Sequence, residues 1–205
     1  MGRVRRLWMW RAVAITLEWM RRITSIYLSG PGVWLSDAEE HAAEQRAFCE
    51  LAGFVGLTPA SISRSLSGTE VCARELYLER LTLMRQADAG VVNLTPWRGV
   101  SADASAAFEA GFLSCLGKPV FAYLNLESEE EAEYRDRVEA YVGAQRDENG
   151  VWMDGEGCLI EDFGLPETLM LWAEARRLFV VVTDDPLRDL TGLRLCLDAV
   201  GMYAD

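Results

Sequence analysis

The sequence predicts an α/β domain with a central parallel sheet and helices on both faces of that sheet. From residue 23 onward, short apolar runs rich in β-forming residues alternate with longer segments of helical periodicity. This alternation is typical of βαβ units. The chain has 205 residues, of which 50% are hydrophobic and 25% charged, as in folded domains with a sizeable core. A single domain is therefore expected over residues 23–205.

The first half of the domain supplies three strands and three helices. The expected strands are TSIYLSG (24–30), GFVGLTP (53–59) and AGVVNLTP (89–96), and the expected helices are 36–52, 69–86 and 101–117. Gly30-Pro31 stops the first strand. Ser36 and Glu39 have the spacing of a capping box at the start of the first helix, and Thr69 begins the second helix.

The second half completes a five-stranded sheet. Its expected strands are PVFAYLN (119–125) and LFVVVT (178–183), and its expected helices are 129–146, 166–177 and 187–200. Gly117, followed by Pro119, is a standard stop for the helix before the fourth strand. The stretch 146–164 is rich in Gly and Asp and is expected to be a long loop, either a functional lid or a flexible excursion.

Residues 1–22 need a separate interpretation. Their apolar run is interrupted by Arg11 and Glu18, so it is too short and too charged to span a bilayer, which takes about 20 apolar residues. No small-residue cleavage site follows it, as a signal peptide would require. One alternative is an amphipathic helix lying on a membrane surface. The interpretation we favour is a basic and apolar extension outside the fold, with Met20 near the true start, in a cytoplasmic protein without a membrane partner.

Charge and cysteine usage disfavour several classes of function. The net charge is −12, and nucleic-acid polymers bind basic surfaces, so such a partner is not expected, whereas a small ligand is allowed. The five cysteines are widely spaced and form no CxxC, which favours buried free thiols over a disulfide framework or a zinc site. The one histidine, His41, lies in the acidic run DAEEHAAEQ and is interpreted as a solvated helix position. Acid–base chemistry is therefore expected from carboxylates.

Ligands of such sheets bind outside the carboxyl ends of the strands. The chain has no GxGxxG or Walker A motif, which disfavours dinucleotide and NTP sites of those types. Trp34 and Trp97 follow turns beyond strand ends and could either stack on a flat heterocycle or simply pack. Asp88 precedes the third strand, and Asp103 enters the next helix as a possible N-cap. Glu109, about two turns further on, has no Arg or Lys at i±3 or i±4, which leaves a functional role or a long-range arginine partner open.

Four stretches resemble the nucleoside 2-deoxyribosyltransferase family. They are IYLSGPGVW (26–34), ADAGVVNLTPWRG (87–99), SADASAAFEAGFLSCLGKPVFAYLN (101–125) and EDFGLPETLMLW (161–172). The most specific pattern is Asp, five residues, then Glu-x-Gly, after a strand ending in N-L-T-P-x-R-G. The resemblance implies a flavodoxin-like (Rossmann-like) three-layer sandwich around a mostly parallel five-stranded sheet. It also implies a homo-oligomer with shared active sites, which acts on 2′-deoxynucleosides and free nucleobases in salvage.

The resemblance assigns catalytic roles to four residues. Glu109 matches the nucleophile, Tyr27 the residue that orients it, and Asp103 the residue that holds sugar hydroxyls. Asp88 matches the residue that assists the base by proton transfer or hydrogen bonding. The expected substrate-binding residues are Gly30, Pro31, Trp34, Trp97, Thr168 and Met170. Retaining glycosyl transfer forms a covalent glycosyl-enzyme that the acceptor then attacks, and this chemistry requires neither a metal nor an organic cofactor.

Several positions depart from the family pattern. The late motif usually begins with an asparagine that reaches a neighbour's active site, whereas this chain has Thr168, whose hydroxyl is shorter. Arg80 stands where asparagine is common, and Ser105 and Ala106 stand where glycine and threonine are usual. Two alternatives to transfer therefore stay open: a nucleoside or deoxynucleotide N-glycosidase, in which water accepts the sugar, and a nucleoside-binding protein without catalysis.

Overall fold

The computed structural model describes residues 23–59 and 68–204, which fold around a five-stranded parallel sheet. The strands are β1 Ser25–Ser29, β2 Val55–Leu57, β3 Ala89–Asn93, β4 Val120–Leu126, β5 Ala144–Arg146, β6 Trp152–Asp154 and β7 Leu178–Val182. The sheet has the order β2-β1-β3-β4-β7, and every neighbouring pair is parallel. This is the strand order of flavodoxin-like folds, so the predicted fold class is confirmed.

Helices cover both faces of the sheet. They are α1 Ala38–Leu51, α2 Glu70–Gln86, α3 Ala104–Cys115, α4 Tyr134–Tyr141, α5 Leu169–Glu174 and α6 Thr191–Ala204. Side chains alternate along a strand, so Ile26 and Leu28 of β1 pack towards α1 and α6, whereas Tyr27 packs towards α2 and α3. The central strands β3 and β4 are buried along their whole length, as the uniformly apolar sequence of a central parallel strand predicts.

The carboxyl ends of β1 and β3 form the crevice where a ligand is expected. From β1 the chain passes to β2 on one side, and β3 lies on the other side of β1. Such a switch in strand order opens a cleft between the loops that follow the two strands. The loop after β1 begins with a 3-10 turn, Pro31–Trp34, and the loop after β3 leads into α3.

Two predicted elements differ from the structure. The expected helix 129–146 is a 3-10 turn, Glu129–Glu131, followed by the short α4. Gly143 ends that helix because it adopts a left-handed φ of 86°. The expected loop 146–164 contains β6, which pairs with β5 as an antiparallel hairpin. Residues 1–22, predicted to be an extension outside the fold, lie outside the described residues.

The helix starts confirm one predicted cap and correct another. Thr69 is the N-cap of α2, and its Oγ1 accepts a 3.3 Å hydrogen bond from Cys72 N. The N-cap of α1 is Asp37 instead of Ser36, and its side chain makes no capping bond. Asp37 is instead paired with Arg188, whose Nη2 lies 2.9 Å from Oδ1. The Asp37 carboxylate therefore pairs with a residue distant in sequence and does not cap α1. Local spacing in the sequence could not reveal this pair.

The structure also bears on the expectations drawn from composition. All five cysteines are free thiols, but only Cys49 and Cys196 are buried, so the prediction of buried thiols is wrong for the others. Burial raises the pKa of Cys49 to about 11. Within residues 23–59 and 68–204, no helix is long and apolar enough to cross a membrane. The same residues contain no group of three His, Cys, Asp or Glu side chains placed to hold a metal ion.

Candidate active site

Glu109 lies buried at the carboxyl edge of the sheet, in the second turn of α3. Only 4% of its side chain is exposed. Ser29, the last residue of β1, donates a 2.5 Å hydrogen bond from Oγ to Oε2. Arg80 donates a 3.0 Å hydrogen bond from Nη1 to Oε1. Both carboxylate oxygens are therefore held, one by a hydroxyl group and the other by a guanidinium.

Arg80 is the long-range partner that the local spacing of Glu109 left open. It lies on α2, which packs beside α3 on the same sheet face, and 14% of its side chain is exposed. Removing one partner of a buried ion pair costs about 3–5 kcal/mol, because the other charge stays buried without compensation. The two residues therefore depend on each other. A contact between positions 29 apart leaves no signal in helical spacing.

Ser29 holds Glu109 from the same strand as Tyr27, whose orienting role stays a prediction. The two side chains point to the same sheet face because they are two positions apart on β1. Burial and the negative charge of Glu109 raise the pKa of the Tyr27 hydroxyl, so Tyr27 lies close to the carboxylate that it is predicted to orient. Sequence reasoning missed Ser29. The signal available was its place on the same face of the strand as the predicted tyrosine.

A largely apolar cavity opens beside Glu109, and we call it the α2–α3 cavity. Its volume is about 580 Å³, within the range of small-molecule sites. Trp34, Tyr77 and Phe108 contribute aromatic surface to its wall. Arg80 and Glu109 are the charged members among the described residues that line it. The carboxylate of Glu109 thus faces a space of ligand size in which few other groups compete for polar contacts.

A smaller and more polar cavity lies under the turn that follows β1, and we call it the α1 cavity. Its volume is about 210 Å³. Ser29, Gly30 and Asn93 line it from the strand ends, and His41 and Arg46 line it from α1. Ser29 also bonds to Glu109, so this one hydroxyl connects the polar cavity to the buried carboxylate.

His41 is buried in the wall of the α1 cavity, which corrects its prediction as a solvated position. The helix places Ala38, His41 and Cys49 on its inner face, although the surrounding sequence is acidic. Burial lowers the pKa of His41, and its Nε2 has no hydrogen-bond partner within the described residues. A Cβ at Gly32 would lie 2.8 Å from His41 Cδ2, so the glycine makes room for the imidazole ring.

The turn after β1 places only some of the predicted binding residues on a cavity. Gly30 lines the α1 cavity, and its φ of 142° suits glycine. A Cβ at Gly30 would lie 2.5 Å from that of Asn93. Pro31 is buried at the start of the 3-10 turn and lines neither cavity, so its role as a binding residue stays a prediction. Trp34 ends the turn and lines the α2–α3 cavity.

Trp34 and Trp97 lie around a common cation, Arg98. The guanidinium carbon of Arg98 is 5.0 Å from the ring centroid of Trp97 and 5.8 Å from that of Trp34, within the range of cation–π attraction. Arg98 also has a φ of 55°, a left-handed conformation that costs energy for a residue with a side chain. The loop after β3 thus carries local strain beside the α2–α3 cavity. Trp97 itself lines neither cavity.

Asp103 occupies the N-cap position of α3 without using it as a cap. Its side chain makes no capping hydrogen bond, so the structural role that its position suggests is not realised. The residues that follow it, Ala104 and Ser105, line the α2–α3 cavity. The structure therefore places Asp103 at the start of the helix that carries Glu109, beside the cavity and on the same edge of the sheet.

Asp88 lies at the opposite edge of the sheet, which corrects its predicted role beside Glu109. Its Oδ2 accepts hydrogen bonds of 2.8–3.0 Å from the backbone and hydroxyl groups of both Thr24 and Ser25. Burial opposes ionisation, but these bonds outweigh it and lower the pKa of Asp88. Asp88 precedes β3 and so belongs to the amino end of the sheet. Glu109 comes after β3 and reaches the carboxyl end, so the length of a strand separates the two carboxylates within one subunit.

Comparison with known proteins decides the family. The family model described as nucleoside 2-deoxyribosyltransferase matches residues 26–170, from β1 into α5. The chain belongs to the nucleoside 2-deoxyribosyltransferase family. A Schizosaccharomyces pombe protein, "Uncharacterized protein C191.05c", is 28% identical over 116 residues, which are 54% of this chain and 54% of that protein. The chain therefore matches only about half the length of this curated relative.

One solved structure supports the fold described above. A "2-desoxiribosyltransferase from Leishmania mexicana" has a TM-score of 0.55 and 23% identity, and the match covers 85% of this chain and 97% of that chain. A 2-deoxyribosyltransferase from Bacillus psychrosaccharolyticus has a TM-score of 0.39 and 20% identity, covering 49% of this chain and 72% of that chain. At these identities the Leishmania structure supports the fold alone.

The late transferase motif does not reach Glu109 within one subunit. Thr168 is the N-cap of α5, and its backbone N donates a 2.8 Å hydrogen bond to Glu167 Oε1. Met170 is 78% exposed. Helix α5 packs on α3, but neither residue lines the α2–α3 cavity. The structure therefore does not bring these two predicted binding residues together with the nucleophile candidate of the same chain.

A buried ion pair fixes the late motif in place, and sequence reasoning missed it. Glu167 is fully buried, and its Oε2 lies 3.6 Å from Arg137 Nη2. Ser101 donates a 2.6 Å hydrogen bond to Glu167 Oε1. Arg137 donates to the carbonyl oxygens of Val100 and Pro166. These contacts bind the segment before α5 to the loop before α3.

Proposed function

We propose that this chain transfers a 2-deoxyribosyl group from one nucleobase to another, with Glu109 as the nucleophile, in cytoplasmic salvage. The main support is the position of Glu109. It is a buried carboxylate beside a cavity of ligand size at the switch in strand order, in a family named for this transfer. Burying a charge costs free energy. A buried carboxylate in the wall of a ligand site is explained if it interacts with the bound ligand. The proposed partners are 2′-deoxynucleosides and free nucleobases, not a nucleic-acid polymer.

The proposed reaction has two displacements at the same carbon. An oxygen of Glu109 attacks C1′, the bond from C1′ to the base nitrogen breaks, and its electron pair leaves with the base. A nitrogen of the acceptor base then attacks C1′ and restores the carboxylate, which gives retention. The acceptor loses one N–H proton and the departing base gains one, so the transfer is balanced. No metal or organic cofactor takes part.

The first displacement passes through a state in which the sugar resembles an oxocarbenium ion. A 2-deoxy sugar lacks the electron-withdrawing 2′-hydroxyl, so it forms this cation more readily, and an anionic Glu109 stabilises it. Ser29 orients the carboxylate through its hydrogen bond. Asp103 is proposed to hold sugar hydroxyls, because it lies beside the same cavity, and Trp34 is proposed to stack on the base.

Base exchange tests this proposal directly. The protein is incubated with deoxyinosine and adenine, and the bases and nucleosides are separated by chromatography. We expect deoxyadenosine from the wild type and none from Glu109→Ala. Glu75→Ala, which removes an exposed carboxylate of α2, is the matched control and should behave as wild type. Equal behaviour of the wild type and Glu109→Ala would rule out Glu109 as the nucleophile.

The same assay distinguishes two other functions. Hypoxanthine released without a new nucleoside would indicate an N-glycosidase, in which water takes the place of the acceptor base. A nucleoside-binding protein without catalysis would release no base. The observation that favours such a protein is the pairing of both Glu109 oxygens, with Ser29 and with Arg80. Attack on C1′ requires one of these oxygens to become free.

A homo-oligomer with shared active sites is the proposed assembly. Val71 and Leu78 lie two helical turns apart on α2, and both are exposed large hydrophobic residues. Exposed Met170 belongs to the motif expected to reach a neighbour. Light scattering with size-exclusion chromatography should give a mass above that of one chain. Leu78→Glu should lower this mass, whereas the control Leu159→Glu in the exposed segment after β6 should not. A monomeric wild type would contradict the assembly.

A further inference from the structure

The departing nucleobase needs a partner for the electron pair that it takes from C1′. The resemblance offered Asp88 as that partner, but Asp88 lies at the amino edge of the sheet, bonded to Thr24 and Ser25. Glu109 cannot serve while it acts as the nucleophile. Among the described residues that line the α2–α3 cavity, the charged group that is left is Arg80.

If Arg80 stayed paired with Glu109 throughout the reaction, its positive charge would oppose catalysis. Arg80 Nη1 lies 3.0 Å from Oε1, so a guanidinium fixed there would stay close to the carbon that becomes positive. Like charges at such a distance raise the energy of the transition state, most strongly where water is excluded. As Glu109 loses its charge to the new bond, its attraction for Arg80 falls. Negative charge then appears on the base, and the cation is drawn towards it.

Arg80 has donors available for this step. A guanidinium carries five N–H donors, and within the described part of the chain Arg80 makes its one hydrogen bond to Glu109. Its side chain also lines the cavity. A planar set of N–H groups suits the ring nitrogens and carbonyl oxygens over which a nucleobase anion spreads its charge.

We propose that Arg80 is a catalytic residue that stabilises the departing nucleobase as an anion, in place of a carboxylic acid that would protonate it. The inference rests on the proposed function. In this step the bond between Glu109 and C1′ forms while the bond between C1′ and the base nitrogen breaks. The base leaves with the electron pair, held by N–H groups of Arg80. It takes a proton from water after release.

A pair of substrates that differ in one atom tests this role. Deoxyuridine and 5-fluoro-2′-deoxyuridine have the same sugar and nearly the same shape, but fluorine makes the base anion more stable. Base exchange with adenine is measured for wild type, Arg80→Gln and Arg80→Lys. We expect Arg80→Gln to lower kcat about 100- to 1,000-fold for deoxyuridine, as when a transition-state donor is removed. The loss for the fluorinated substrate should be about tenfold smaller, because its anion needs less help.

Partial misfolding of a variant lowers both apparent kcat values by the same factor. The ratio of the two kcat values within one variant is therefore independent of the active fraction. Arg80→Lys should restore part of the deoxyuridine activity because it keeps a cation. Glu79→Gln is the matched control on the neighbouring position. It removes one of the two carboxylates, Glu39 and Glu79, that line the α1 cavity, and it should leave the ratio of the two substrates unchanged.

Three outcomes would overturn the proposal. Equal losses for both substrates would make Arg80 a positioning residue for Glu109 only. A higher kcat in Arg80→Gln would show that the ion pair restrains the nucleophile. A changed ratio of the two substrates in Glu79→Gln would show that Glu79, and not Arg80, stabilises the departing base. Each of these leaves the transferase proposal standing. A wild type that cleaves neither of these substrates nor deoxyinosine would overturn both proposals together.

Discussion

The two ends of β1 hold two carboxylates in similar ways but in different surroundings. Ser25 opens the strand and donates a 3.0 Å hydrogen bond from its hydroxyl to Asp88. Ser29 ends it and donates a 2.5 Å hydrogen bond from its hydroxyl to Glu109. At the amino end, the other donors to Asp88 are backbone N–H and hydroxyl groups of Thr24 and Ser25. At the carboxyl end, the other donor is a cationic side chain beside a cavity.

This difference separates a structural carboxylate from a candidate catalytic one. Asp88 satisfies backbone N–H groups at the start of a strand, which would otherwise need water, and it lines neither cavity. Within residues 23–59 and 68–204, the Glu109 carboxylate accepts no hydrogen bond from a backbone N–H group, and it borders a space of about 580 Å³. Both are carboxylates that accept a hydrogen bond from a serine hydroxyl of β1. Two differences separate their roles: the end of the sheet at which each carboxylate lies, and whether a cavity opens beside it.

The largest expected effect is the loss of activity in Glu109→Gln. The amide has nearly the same shape as the carboxylate but is a poor nucleophile, so kcat for base exchange should fall at least about 1,000-fold. The measurement is initial-rate chromatography of the product nucleoside. Asp88→Asn is the control from the other end of the strand and should keep kcat within about threefold of wild type. A comparable loss in both variants would contradict the assignment of Asp88 to a structural role.

Asp88→Asn should instead reduce stability. The amide still accepts some of the hydrogen bonds but loses their charge-assisted part, which is worth about 1–2 kcal/mol after allowance for solvent screening at this partly exposed site. The melting temperature should fall by about 2–8 °C. The lowered pKa of Asp88 means that its contribution to stability is present at neutral pH. That contribution is lost as the pH falls below the ordinary value of about 3.9 towards the lower folded value.

The pH dependence gives a second check on the same variant. The difference in unfolding free energy between wild type and Asp88→Asn should shrink steadily in acid, as the wild-type carboxylate takes up its proton. Denaturant unfolding at pH 7, 4 and 3 measures it. A difference that does not change over this range would mean that the charge of Asp88 contributes nothing to stability.

The two serines of β1 offer a smaller and closely matched comparison. Ser29→Ala removes one of the two groups that orient Glu109, and kcat should fall about tenfold. Ser25→Ala removes one of several bonds to Asp88, so it should leave kcat unchanged and lower the melting temperature slightly. Steady-state kinetics and thermal melts of both variants test this contrast. Equal kinetic effects would mean that the strand transmits changes from either end to the site.

His41 provides the smallest expected effect. Burial lowers its pKa in the folded protein, so the unfolded chain binds more protons as the pH falls through about 6.5. The folded state therefore loses stability as the pH falls from about 7 to 5.5. His41→Gln should show a flatter dependence over this interval in denaturant unfolding. A wild type with constant stability there would contradict the pKa assignment.

The fold was predictable because it depends on local patterns. Uniform burial of β3 and β4 follows from apolar runs such as AGVVN, and the start of α2 follows from Thr69 as its N-cap. The β5–β6 hairpin was missed because its strands have three residues each. Strands of that length are too short to show a period in the sequence.

The site was predictable only in part because its contacts join distant positions. Glu109 could be singled out as a carboxylate in an apolar helical segment. Its bonds to Ser29 and Arg80 span 80 and 29 positions, beyond any helical or strand period. Asp88 was misplaced because proximity to a strand in sequence does not say which end of the sheet is used. His41 was misjudged because an acidic sequence hid a buried helix face.

The hairpin of β5 and β6 has a use for protein engineering. Its turn is ordered by its own contacts, in which Asp147 Oδ1 accepts 2.8 Å hydrogen bonds from the backbone N of Asn149 and of Val151. The chain on either side is fastened by Arg137 and Glu167. No residue of this hairpin lines the α1 cavity or the α2–α3 cavity, so additional sequence in its turn should leave both cavities intact. A fluorescent reporter domain inserted there would label the protein in living cells without altering either cavity.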